Sequence, residues 1–432
     1  MPISGERPQG LARELGLLEV TLSGTGIILG AGIYALIGEA AGSAGNALWL
    51  SFTISALVAF FTALSYAELS SMYPDVGAEY EYTNRALGRR VAVVVGWLII
   101  FAGIVGAATV ALGFAGYLGA ILPVPRLVSA ALLIAALSFI LLRGIRESAW
   151  IAGIFTLIEV GGLLLIIAAG VPHLGKVDYL EMPMGFSGIF AAAALVFFAY
   201  QGFEEIAKFS EEVRSPEKTI PRALIIALAV STVLYILVSV SAVSVVGWET
   251  LSASPAPFAA VASVAWGGDA SLLLSVIALF ATANTVLMML FAASRISYGM
   301  ARAGSLPGVL SVVHPGRYTP WASIIVMAAG AVVFLLAGDI AFVASISNFT
   351  LFVTFFVVNL SVIILRRRDP NRPRPFTIPG RVRMLPIFPV LGLATCVFLL
   401  LQLEPAVLSI GALLTGIGVV FALFAGRKKM PG

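Results

Sequence analysis

Apolar runs of about 20 residues, the length a helix needs to cross a hydrocarbon core of roughly 30 Å, follow one another along the whole chain with short polar stretches between them. They fall near 16 to 39, 44 to 70, 91 to 122, 126 to 142, 149 to 171, 187 to 207, 221 to 246, 270 to 296, 320 to 337, 341 to 365, 384 to 403 and 406 to 425. This pattern predicts twelve spans. Gly, Ala and Leu fill the runs without sustained alternation of apolar and polar positions, so helices are expected rather than the strands of a membrane barrel.

Two runs depart from the rest. The first contains GTGIILGAGIY (24 to 34) and the sixth FFAYQGFEEIAKF (197 to 209), which puts glycine and polar residues at membrane depth. They are five spans apart, and an odd offset makes the two helices cross in opposite directions. Spans 1 to 5 (16–171) and 6 to 10 (187–365) are therefore expected to be inverted repeats, with spans 11 and 12 (384–425) added, all within one membrane domain over 1–432. Paired glycine-interrupted segments at corresponding places in two halves point to the central site of a transporter.

Each glycine motif also has a plainer reading. Gly26-x-x-x-Gly30 is a helix-packing motif. A dinucleotide loop is excluded, because no strand precedes the glycines. Unwinding over 24 to 32 is permitted by glycine's freedom, provided the segment is buried or lines a cavity. It would expose N–H groups that suit a carboxylate and carbonyls that suit an ammonium or a cation.

Composition agrees with the pattern: 60% of residues are hydrophobic and 11% charged, with a mean hydropathy of +1.03. The sequence pI of 9.2 invites a nucleic-acid reading, but the positions of the basic residues give another meaning. With the N-terminus inside, 24 of the 26 Lys and Arg fall in cytoplasmic segments, from Arg7 and Arg13 through the run Arg366 to Arg383 to Arg427, Lys428 and Lys429. Only Arg126 and Lys176 fall outside. The positive-inside rule then predicts cytoplasmic termini in an inner, cytoplasmic membrane, with the lipid bilayer rather than nucleic acid as partner. The opening MPISGERPQGLARELGLLEV leads into the first span without the short apolar core and cleavage site of a signal peptide. The segment 366 to 383, rich in Arg and Pro, is expected to be an extended connector.

Among single residues, Glu159 in IFTLIEVGGL stands out. At about 1.5 Å per residue it lies halfway through its span, where a charge costs several kcal/mol. It must face a cavity or a partner, or be protonated. The open roles are proton carrier, cation ligand, counter-charge for a basic substrate, and structural hydrogen bonding. Glu204 is expected in a cavity, whereas Glu205 can equally belong to a Glu/Lys helix end. Thr282, Asn284 and Thr285 in span 8 are possible cavity ligands or bonds between helices, and Arg295 is an expected interfacial anchor.

Catalytic chemistry finds no support: the two histidines, His173 and His314, fall in loops, and HExxH, GxSxG and GxGD are absent. The single cysteine, Cys396, can form neither an internal disulfide nor a cysteine metal site. No metal or cofactor is expected. A channel or a non-transporting receptor is harder to separate from a carrier.

Four motifs in order, GAGIY with its preceding glycines, AELSSMYPDVGAEYEYTNRALG, FFAYQGFEE followed by EEVRSPEKTIPRAL, and SRISYGMARAGSLP, resemble the amino acid–polyamine–organocation transporters. The resemblance covers spans 1 to 10. It implies an all-α LeuT-type fold with spans 1 and 6 broken at the midplane around an amino acid. The substrate carboxylate would then sit on the backbone of Gly30, Ala31 and Gly32, near Gly26. The ammonium would meet carbonyls near Ile28 and in the second break at Phe198, Ala199, Tyr200, Gln201 and Gly202, with Phe198 as an aromatic gate.

There are three departures from the family. Ala31 stands where a hydroxyl residue is common, Gln201 where an apolar one is common, and Glu159 where some proton-driven relatives carry a lysine. The implied activity is proton-coupled or exchange transport of an amino acid, with Glu159 and Glu204 as candidate coupling residues and sodium as the other possible ion. A polyamine or cationic amino acid antiporter, or a receptor of the same fold, is the alternative.

Overall fold

The computed structural model describes residues 15–73, 78–143, 149–211, 213–317, 319–382 and 385–424. Arg7, Arg13, Arg146, Arg383, Arg427, Lys428 and Lys429, which bear on orientation, and the side chains of Lys208 and Arg381 lie outside the described residues. Two helices, α1 (Leu17–Ile28) and α2 (Gly32–Ala44), share the first apolar run, and α3 (Leu48–Met72) follows a turn at Gly45–Ala47. A short α4 (Ala78–Leu87) precedes α5 (Arg89–Gly119), α6 (Arg126–Arg143) and α7 (Ala149–Gly170). The sixth run begins as α8 (Gly185–Val196) and continues as 3-10 turns at Phe197–Tyr200 and Phe203–Glu211. Next come α9 (Pro216–Ala253), interrupted at Gly247 (φ 73°), the short α10 (Pro257–Trp266), α11 (Gly268–Arg302) and α12 (Trp321–Leu335). The chain ends with α13 (Ile340–Arg368), α14 (Ile387–Leu400) and α15 (Pro405–Phe424).

Among the described residues, nine helical runs are long and apolar enough to cross a membrane. One of them, Gly32–Met72, is divided at Gly45 (φ 67°). Leu17–Ile28, Pro257–Trp266, Trp321–Leu335 and Ile387–Leu400 are apolar but shorter. The pattern of apolar runs gave no sign of α4 or α10. The expected extended connector after span 10 differs too. Helix α13 runs on to Arg368, and after the segment that follows, Arg381–Val382 pairs with Leu385–Pro386 as a minimal antiparallel ladder.

Small residues set how closely the helices approach. A Cβ on Gly96, Gly103 or Gly106 of α5 would stand 2.7 to 3.0 Å from Met300, Ala293 or Met289 of α11, so the glycines let these two long helices lie together. At Gly113 the neighbour is Ala35 of α2, and at Gly116 the Pro255 carbonyl. Helix α3 packs along α9 and α8, whereas α13 packs along α5 and α14. Large apolar side chains such as Leu132, Leu157, Leu237, Val333 and Leu413 remain on the perimeter, where lipid would cover them.

Polar side chains cross-link this apolar packing. Asn359 of α13, fully buried, accepts from Ser65 (2.6 Å) and donates to Thr62 (3.0 Å) and the Phe355 carbonyl (2.8 Å). Gly392 of α14 lies against the same amide, where a Cβ would be 2.6 Å from its oxygen. Replacing Asn359 by Ala is expected to cost about 1–2 kcal/mol, the size of one or two lost hydrogen bonds. Thermal unfolding of the purified protein checks this, and Thr395→Ala, whose hydroxyl bonds only within its own helix (2.8 Å), serves as a near-neutral control.

Candidate functional site

The first apolar run gives up its helix over three residues. Helix α1 closes with the Leu29 N–H on the Thr25 carbonyl (2.8 Å), and α2 opens at Gly32 after Ala31 (φ −62°, ψ −1°). The expected unwound stretch of 24 to 32 is therefore too wide. Gly24 and Gly26 stay helical, because their work is packing. A Cβ on Gly24 would be 2.4 Å from Ile206, and one on Gly26 would be 2.5 Å from Thr156 of α7. Gly26 accordingly lies inside α1, and the break itself consists of Leu29, Gly30 and Ala31.

The second break follows Val196. A 3-10 turn at Phe197–Tyr200 is closed by the Gln201 N–H on the Phe198 carbonyl (3.2 Å), Gln201 extends (φ −55°, ψ 137°), and Gly202 takes φ 114°. Only glycine fits that last position, because a Cβ would meet Ile27 at 2.7 Å as well as adopting a strained φ. The two breaks are in contact: a Cβ on Gly32 would stand 2.7 Å from the Ala199 Cα.

Side chains from other helices take up the loose backbone ends. The Tyr235 hydroxyl of α9 lies 2.5 Å from the Ile28 carbonyl and 2.8 Å from that of Ala199, one acceptor from each break. The Thr285 hydroxyl of α11 accepts from the Ala31 N–H (3.1 Å), so α11 supplies a hydroxyl beside a residue whose own side chain has none. Asn348 donates to the carbonyls of both Ala194 and Leu195 at the end of α8, whereas Ser51 and Ser55 donate to those of Ile189 and Ala193 along the helix. The Tyr200 hydroxyl donates to the Phe52 carbonyl (3.0 Å).

Phe198, 2% exposed, sits where Gly106 of α5 and Met289 of α11 converge. The Gln201 side-chain oxygen is buried and accepts no hydrogen bond among the described residues. Glu204 is buried, and its carboxylate accepts from the Gly202 N–H (2.9 Å), so it braces the turn of the second break.

Glu159 lies midway along α7 and is 1% exposed. The Asn284 amide donates to its carboxyl (3.4 Å), and the Tyr34 hydroxyl donates to its backbone carbonyl (2.6 Å). Tyr34 is in turn held through its own carbonyl by the Tyr117 hydroxyl (3.0 Å). Asn284 and Thr285 thus join Glu159 to the first break, whereas Thr282 does not take part. Its hydroxyl is used within α11, on the Ala278 and Leu279 carbonyls. Arg295 lies over the Phe291 ring (4.6 Å), with one guanidinium nitrogen buried and unbonded among the described residues.

A separate cavity of ≈ 200 Å³ lies one turn beyond the first break, lined among others by Tyr34, Glu39, Tyr117, Arg126 and Ser254. Among the described residues, no group of three or more His, Cys, Asp or Glu is placed to hold a metal ion.

Tyr235, Asn348, Gly106 and Met289 lie outside the motifs, and Tyr34 ends GAGIY without a role of its own being expected. The sequence does carry a signal for two of them: Tyr235 is the only ring hydroxyl in the apolar stretch TVLYILV, and Asn348 the only amide in SISNFTLFV. Gly106 and Met289 look like ordinary membrane residues until the fold sets them beside Phe198.

A family model described as amino acid permease matches residues 15–424. The branched-chain amino acid permease of Bacillus subtilis (strain 168) is 34% identical over 424 residues, covering 93% of this chain and 90% of the relative. The methylthioribose transporter of the same organism is 31% identical, covering 92% and 90%. A vacuolar cationic amino acid transporter, number 4 of Arabidopsis thaliana, is 31% identical over 85% of this chain and 66% of its own length.

The contact geometry yields a paired prediction. Gly175 (φ 81°) has open space where a methyl group would stand, so Gly175→Ala should cost only about 1 kcal/mol of backbone strain. Gly202→Ala adds the clash with Ile27 and should cost clearly more. Comparing the two melting temperatures checks it.

Proposed function

Because the chain belongs to the amino acid permease family, and is thus a membrane transporter rather than an enzyme, we propose that it carries an amino acid across a cytoplasmic membrane by alternating access. The observation that carries this reading is the contact of two helix breaks whose loose backbone ends are held by Tyr235, Thr285 and Asn348. In this reading the chain spans the membrane twelve times in a 5+5 inverted repeat plus two helices, with both termini cytoplasmic. The concentration of 24 of 26 basic residues on one side supports that orientation.

The substrate carboxylate binds the N–H groups of Gly30, Ala31 and Gly32, where α2 begins and the helix dipole favours an anion, and it takes the place of the Thr285 hydroxyl on the Ala31 N–H. The ammonium takes the Ile28 and Ala199 carbonyls in place of the Tyr235 hydroxyl. Phe198 closes over the ligand, and the substrate side chain points towards Gly106 and Met289. Those neighbours support an amino acid with an apolar side chain, in keeping with the branched-chain substrate in the name of the Bacillus relative. A cationic substrate, as in the name of the plant relative, would need an acid facing its side chain, and the Glu159 carboxyl is engaged by Asn284 instead.

Glu159 is the coupling residue of this proposal. It is buried at mid-span beside a neutral amide, with no basic side chain paired to it among the described residues. A protonated acid suits that setting and an anion does not, so the coupling ion is a proton rather than sodium. Binding and release of that proton would be read by the first break through Asn284 and Thr285, which are adjacent in sequence on α11. Glu204, which braces Gly202, positions the second break.

Uptake by proteoliposomes under imposed pH or sodium gradients tests the proposal. The wild type should accumulate substrate with an inward proton gradient and show saturable counterflow, which neither a channel nor a receptor would give. Glu159→Gln should abolish accumulation while retaining exchange, and full accumulation by this variant would defeat the coupling role. Screening the amino acids for thermal stabilisation should single out apolar ones, with a rise of about 2.7 kcal/mol in stability at a hundredfold excess over Kd.

A further inference from the structure

Glu68 lies near the end of α3, within the motif AELSS, and is 1% exposed. Its carboxylate accepts from Nε (2.8 Å) and Nη2 of Arg366 and from the Ile378 N–H (2.9 Å), with Arg374 Nε at 3.5 Å. Arg366 belongs to the last turn of α13, whereas Arg374 and Ile378 come from the connector behind it. Arg374 also donates to the carbonyls of Leu365, Asp369, Pro370 and Arg372, so the connector is wound around a guanidinium that faces Glu68.

Further bonds fasten the connector beside it. Ser71 accepts from the Phe376 N–H (3.2 Å) and lies 3.4 Å from its carbonyl, and Arg372 donates to the Met72 carbonyl (3.3 Å) and covers the Tyr73 ring at 4.2 Å.

Holding α3 and α13 together does not by itself call for buried ions. Apolar residues of similar volume commonly do as well or better, because ions must be stripped of water. What an ion group adds is an interaction that can be broken and remade between two states, as salt bridges are at moving interfaces. The location fits that use. Helix α3 packs along α8 and α9, which carry the second break and Tyr235, whereas α13 packs along α5 and α14. At the same end of the bundle, the Arg214 N–H donates to the Leu15 carbonyl (2.9 Å), closing the start of α1 onto the segment after the second break.

We propose that Glu68, Arg366 and Arg374 form the latch of the cytoplasmic mouth, intact while the mouth is closed and broken when it opens to release substrate. The latch rests on the alternating-access reading and on the cytoplasmic orientation given above. It gives the arginine-rich connector a mechanical part in the cycle besides its effect on topology.

Ile206 provides a reporter, being fully buried against Gly24 between α1 and the segment 203–211. In a Cys396→Ala background, Ile206→Cys is exposed to a membrane-impermeant maleimide on the cytoplasmic face of inside-out vesicles. Glu68→Gln and Arg366→Gln are each expected to raise the labelling rate by about fivefold, the lower end of ordinary coupling between states. Glu68→Asp, which keeps the charge, should return the rate towards that of the parent. Equal rates in parent, Glu68→Gln and Arg366→Gln would overturn the latch.

If neither variant accumulates as folded protein, Arg374→Gln carries the test, since it leaves the Glu68–Arg366 pair in place. It should give a smaller rise, and an unchanged rate would count against the proposal. Labelling is independent of uptake. Faster labelling of the variants, where the wild type itself moves no amino acid, would sink the transport reading and leave only the ion group's hold on the closed cytoplasmic end, while normal transport with unaltered labelling would sink the latch and keep the transport reading.

Discussion

A backbone amide removed from water must find another partner, and at membrane depth this requirement governs everything else in the molecule. Most of the chain meets it with uninterrupted helix. Among the described residues the first and sixth apolar runs do not, and each free N–H or carbonyl there would cost several kcal/mol if left alone. The fold answers with side chains brought from a distance: Tyr235 from α9, Thr285 from α11 and Asn348 from α13. The breaks are thus products of the whole bundle. No isolated segment containing GTGIILGAGIY could hold this shape.

Much of this was legible in the chain itself, and the rest was not, for definable reasons. Hydropathy marks where helices run because burial in lipid acts on every residue of a span. The glycines at 30, 32 and 202 and the acid at 159 were visible because each breaks the local rule for a membrane helix. What glycine is for was less visible. Gly24 and Gly26 resemble Gly30 in sequence, yet they sit in intact helix against Ile206 and Thr156, and only the fold separates packing from unwinding. The same limit applies to Thr282 and Thr285, three residues apart on one helix. One turns to its own backbone and the other reaches the first break.

The basic residues carried two kinds of information, of which composition revealed one. The orientation proposed above rests on their distribution along the chain, which a count suffices to read. Their pairing does not follow from a count. Arg366 and Arg374 converge on Glu68 from nearly 300 residues away in the chain, and nothing in the AELSS motif announces a partner. Long-range polar contacts of this kind are set by the final packing of helices. They are the part of the structure least available to local reasoning.

The Tyr235 bridge has an arithmetic consequence. A phenol carries one hydrogen, and two carbonyls, of Ile28 and Ala199, lie within reach of it. At any instant the phenol can therefore satisfy one of these two carbonyls, and rotating the hydroxyl only changes which one. A primary ammonium has three hydrogens and would release the phenol while satisfying both acceptors. Under the proposed transport reading, selectivity for amines would come less from a charge built into the protein than from a pair of acceptors that one phenol cannot satisfy together and a ligand rich in donors can.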